Sequence, residues 1–145
     1  MDTLYLSSTH DASGRSAVVE ETEGCIYLYL TRPHSGHLVK DCWLANTAAF
    51  ESLPELDHFR SRSLPPPAGP EFVGDGALVE SPLDRAWSLR WNQDGSAIAV
   101  ELNGQPIGMI AADPPAARAL HVAKLGPWGA PWDQTHFERL FPTDG

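Results

Sequence analysis

The sequence predicts a mainly β protein. Two antiparallel meanders, about seven strands in all, form packed sheets or one curved sheet, and a short C-terminal helix closes the chain. Three observations carry this. Trp87–Ala111 reads as three short strands joined by two tight turns. Arg15–Ala45 holds a second run of β-branched and aromatic segments broken by turn residues. The 145-residue chain also has 13 prolines and 12 glycines, which favour many turns over long helices.

Thr3–Ser7 is the first strand candidate, and His10–Gly14 is a turn. Arg15–Thr22 and Gly24–Thr31 follow as strands, separated at Glu23-Gly24. Arg32–Gly36 is a loop and His37–Ala45 a fourth strand, completing an N-terminal meander. If that loop sets Leu30 opposite His37, Cys25 falls opposite Cys42. Two thiols facing each other in a reducing compartment are expected as packed, reduced groups.

Asn46–Leu56 offers a helical turn, with Asn46 or Thr47 as cap and Pro54 as terminator. Residues 63–76 form a Pro/Gly-rich connector between the two meander halves of one domain, residues 1–145. Its Pro65-Pro66-Pro67 run is expected to be extended and to cross the outside.

In the second meander, Trp87, Leu89 and Trp91 alternate with Ser88 and Arg90. Ile98, Val100 and Leu102 alternate with Ala97, Ala99 and Glu101. Period-two patterning sends one set to a buried face and the other to solvent. Asn103-Gly104 is the pair that best accepts positive φ at both centres of a type I′ turn. Asp113-Pro114-Pro115 reads as a strand breaker, Leu120–Lys124 as one more short strand, and Gly126–Trp132 as a rigid aromatic turn. Asp133 is an N-cap for a helix through Leu140, with Phe137, Leu140 and Phe141 on one face, placed to cap an open end or edge of the sheets. Ser16–Gly24 and Ser96–Gly104 share Ser, Ala, Glu and Gly in register, a faint internal repeat.

Lys plus Arg number 10 against 19 acidic residues, a formal charge of −9. Such a surface repels phosphate backbones and anionic membranes and draws in a basic protein. The longest fully apolar run, Cys25–Leu30, is far shorter than the roughly 20 residues of a membrane span. The N-terminus has no basic, apolar leader pattern, so the cytoplasm is the default location.

No catalytic, metal or cofactor motif is present in the sequence. His34, His37, Asp41 and Cys42 lack the paired spacing of a zinc site. Nucleophile elbows and phosphate-binding glycine loops are missing as well. The candidate partner-binding residues are therefore surface features. Glu20, Glu21 and Glu23 form an acidic rim, and Trp128 and Trp132 are either aromatic anchors or covers for a sheet end.

The leading expectation is a non-enzymatic, acidic protein-binding module of the inhibitor or immunity type, neutralising a basic partner such as a bacterial toxin. The alternative is a small enzyme or small-ligand binder with a pocket between the meanders. A third reading is an assembly subunit whose sheet edge pairs between protomers. The sequence itself sets no oligomeric state.

Overall fold

The computed structural model describes residues 3–48, 61, 65–112 and 114–142. Among the described residues the chain is mainly β, with two sheets and a short C-terminal helix. Sheet I has the order β1 (Tyr5–His10), β2 (Arg15–Thr22), β3 (Cys25–Thr31), β4 (Leu38–Asn46), all antiparallel. Sheet II has the order β5 (Trp87–Trp91), β6 (Ala97–Leu102), β7 (Gln105–Ala112), β8 (Pro115–Ala119), β9 (Ala130–Pro131). Its last pair is parallel and the others antiparallel. Neighbours in each sheet are neighbours in sequence, as meanders require.

The sheets pack face to face, β4 lying over β7 and β8. Val19, Leu28, Leu30, Cys42 and Leu44 of sheet I meet Ile98, Val100, Ile110 and Ala119 of sheet II in one buried cluster. Gly108 makes this approach possible, because a Cβ there would collide with the Leu44 side chain. The Asn103-Gly104 turn forms as expected, both residues at positive φ (52° and 85°).

Several expectations are corrected. Cys25 pairs with Asn46 and Cys42 with Leu28, so the cysteines lie on opposite faces and both are free thiols. Two irregularities in the β3–β4 ladder and a longer loop displace the register. Asp113-Pro114-Pro115 does not end the sheet: Ala112 pairs with Pro115 and opens β8, while Leu120–Lys124 forms no strand.

Ala97 and Ala99 do not face solvent. With Met109 they lie under Phe137 of the helix α1 (Gln134–Leu140) and Phe141, the residue that caps its C-terminus. Small side chains let the helix lie on the outer face of sheet II rather than cap an end. The Asp133 carboxylate caps α1, accepting from the His136 amide at 3.1 Å. The Ser16–Gly24 and Ser96–Gly104 segments are both second strands of a meander, yet matched residues face opposite ways. Val18 points outward beside Tyr29, whereas Ile98 points into the core.

The connector also departs from the outside path, since Pro67 and Ala68 are buried. A proline run has no amide protons, so its carbonyls are the groups that need partners. Pro66 O accepts from the Tyr27 hydroxyl at 2.7 Å and from Trp128 Nε1 at 3.3 Å. Pro65 O accepts a weak bond from the Cys25 thiol at 3.6 Å. Asn46 locks the same segment: its Oδ1 accepts from Trp43 Nε1 (2.9 Å) and Ala68 N (3.1 Å), and its Nδ2 donates to Ala68 O (3.0 Å). Asn46 therefore ends β4 instead of capping a helix. The remainder of the expected turn, residues 49–56, lies outside the described residues. The result is a stack of Pro-rich segment, sheet I, sheet II and α1.

Candidate partner-binding surface

The outward face of sheet I is only partly covered by the described residues, and the register defines its rows. Tyr5, Glu20, Tyr27 and Trp43 form one row, and Ser7, Val18, Tyr29 and Asp41 the next. The connector covers Tyr27 and Trp43. Tyr5, Ser7 and Asp41 remain exposed, and Glu20, Val18 and Tyr29 are half-buried. Tyr5 is 59% exposed.

Tyr27 and Tyr29 stack with centroids 6.1 Å apart. Burial pushes both phenols upward, and Glu20 and Asp41 push Tyr29 further. Both rings therefore stay neutral. Tyr29 stands between two carboxylates, which makes this patch aromatic at its centre and negative at its margins. That is a combination suited to a cation-bearing protein surface.

The five residues singled out from sequence do not form one surface. Glu20 sits in the row just described. Glu21 points its carboxylate at the start of β1, where Oε1 accepts from the Leu4 amide at 2.9 Å. Glu23 is exposed at the β2–β3 turn. Trp128 is 6% exposed, packs on Phe72 at 4.9 Å between centroids and donates to Pro66 O. Trp132 packs against Phe137 at 5.2 Å, on the far side of sheet II from Glu20.

The sequence singles out neither Tyr5 nor Tyr29, and it raises Asp41 only as a metal-ligand candidate. The signal was present in the period-two alternation of β1 and β3, but bringing them together required the register between strands.

Burial pushes the Cys25 thiol up to about 11 and the Cys42 thiol up to about 12, leaving both protonated. A Ser–His contact occurs at the β1–β2 turn, with Ser13 Oγ 3.0 Å from His10 Nδ1. The same nitrogen accepts the Ser13 amide at 3.1 Å, and His10 Nε2 meets Gln93 O at 3.2 Å. His10 thus ties the first turn of sheet I to the first turn of sheet II. His34 and His37 lie exposed in the β3–β4 loop, while Asp41 and Cys42 point to opposite faces. No group of three or more potential metal ligands converges among the described residues.

No family model, curated protein or solved structure matches the chain. Among the described residues, no helix is long and apolar enough to cross a membrane.

Among the described residues, the space between the sheets is occupied by the core cluster. A cavity of about 300 Å³ opens instead at the edge where β4 meets β8. It is bordered by Lys40, Asp41, Ala116, Arg118, Leu125 and Pro127. The Arg118 guanidinium is already committed, donating to His136 Nδ1 and to Pro131 O, both at 3.1 Å.

Proposed function

We propose that this protein is a non-catalytic, cytoplasmic binding module that docks a basic protein through the outward face of sheet I. In type it is an inhibitor or immunity protein, with a toxin domain as the kind of target it neutralises. The observation that carries this reading is the placement of Tyr29 between Glu20 and Asp41, with Tyr5 exposed alongside. The net charge of −9 adds long-range attraction for a cationic target. Neutral tyrosines supply area and hydroxyl donors at low entropic cost, and the carboxylates select and orient the partner.

The test is affinity capture from the native source with two baits, the natural chain and the double variant Glu20→Lys, Asp41→Lys. A stoichiometric basic partner that elutes with rising salt from the first bait and is missing from the second supports the reading. Equal retention by both baits overturns it.

The edge cavity supports a second reading as a small-ligand site, because Lys40 and Asp41 stand together at its rim. A bound ligand there would shift the amide resonances of Asp41 and Ala116–Arg118 and leave those of Tyr5 and Glu20 in place.

A further inference from the structure

We propose that two copies of this chain join edge to edge through β1, merging two copies of sheet I into one continuous antiparallel sheet. The backbone geometry is the starting point. Glu21 N donates to Leu4 O at 2.9 Å and the Leu4 amide donates to the Glu21 carboxylate, so both backbone polar groups of Leu4 face β2. Alternation along an antiparallel ladder then turns the polar groups of Leu6, Ser8 and His10 toward β2. The N–H and C=O groups of Tyr5, Ser7 and Thr9 point the other way, off the edge of the sheet. Among the described residues, no backbone hydrogen bond from another element reaches them.

Sheet edges are normally blunted by charge, proline, bulges or cover. β4 carries Lys40 and Asp41 and two ladder irregularities, and residues 77–79 pair with its end at Asn46. β5 carries Arg90, held over the Phe137 and Phe141 rings. β9 is two residues long and ends in Pro131. β1 (YLSSTH) has none of these devices: no Asp, Glu, Lys, Arg or Pro, and unbroken pairing from Tyr5 to His10.

A second copy is the occupant that this edge fits. A two-fold axis at Ser7 pairs Ser7 with Ser7 of the other protomer and Tyr5 with Thr9. Every outward N–H and C=O of the three residues then finds a partner in an isologous contact. The side chains of that row also match, hydroxyl against hydroxyl and ring against Thr9. The chain carries −9 overall, yet these paired residues set no like charges against each other. A basic partner gains nothing from a neutral edge and is drawn to the acidic face instead, so the two contacts are separable. In the dimer the outward faces adjoin, doubling the surface that carries Tyr29.

The experiment is sedimentation equilibrium of the natural chain and of Ser7→Pro, at about 0.1 mM chain, where millimolar-to-micromolar association is resolved. Ser7→Pro removes an outward amide that β2 does not use, so circular dichroism should be unchanged. Ser7→Lys, which sets like charges across the two-fold axis, is the second variant. The expected result is association toward twice 15.8 kDa for the natural chain, strengthened by salt as like net charges are screened. Both variants should remain at 15.8 kDa. A natural chain that stays monomeric, or folded variants that still dimerise, overturns the proposal. Capture of a basic partner weakens with salt, so the two contacts fail independently.

Discussion

Asn46 is the residue on which most of the tertiary stitching converges. Its side chain serves Trp43 Nε1, Ala68 N and Ala68 O, while its backbone joins Ala77 O and Val79 N, both at 2.8 Å. Asn46→Leu keeps the approximate volume but leaves buried donors unmatched. It should lower stability by about 3 kcal/mol, read as a shift in the urea midpoint. An unchanged midpoint would mean that water takes over these bonds. The sequence marks Asn46 only as a candidate cap, because its partner lies 22 positions away and a proline run hides the need for it. Turn residues are the opposite case. Asn103-Gly104 states its own geometry, since few other dipeptides accept positive φ twice in succession.

Among the elements, α1 shows how far period-two patterning reaches. Its span and its Asp133 cap were legible, as was the apolar face of Phe137 and Phe141. Its seat was not. Alanines at the alternate positions of β6 look like the solvent side of a strand, but they are the clearance that a helix needs to approach a sheet. Arg90 then closes the contact, its guanidinium carbon 5.9 Å from the Phe137 ring centre and 5.6 Å from that of Phe141. Phe137→Ala should cost about 3 kcal/mol and release α1 before the sheets unfold. Limited proteolysis should then cut within residues 133–141, and resistance equal to that of the natural chain would count against this packing. β8 escaped prediction for a related reason. Pro115–Ala119 lacks the β-branched residues that announce a strand, and its buried Ala117 and Ala119 belong to the core cluster shared with Cys42 and Leu44.

For the whole molecule, the fold class was legible because both meanders are local in sequence. The β3–β4 register was not, because two irregularities break the count on which cross-strand reasoning depends. Global stability should respond to mild acid through His121 and His136. Burial holds His121 below the usual 6.5, although its ring donates to Asp75 O at 3.1 Å. Burial, then Arg118, does the same to His136. Protons therefore favour the unfolded chain. Stability is complete above about pH 6.5 and falls as pH drops toward the lowered folded values. Asp94 and Asp133 are lowered chiefly by hydrogen bonds from Ser96 and His136, and they lose their contribution only below about pH 4. Urea midpoints at about pH 7.5 and pH 5.5 should differ, and less so in His121→Asn, which retains a donor toward Asp75. An undiminished difference in that variant would locate the acid response elsewhere.

The consecutive strand order of the two sheets also has a consequence for synthesis. All of sheet I is synthesised before the first residue of β5 is made. For the time needed to translate the intervening residues, its Val19–Leu28–Leu30 face has no second layer. A first half made alone would expose that apolar face, the kind of surface that promotes aggregation until the second sheet covers it.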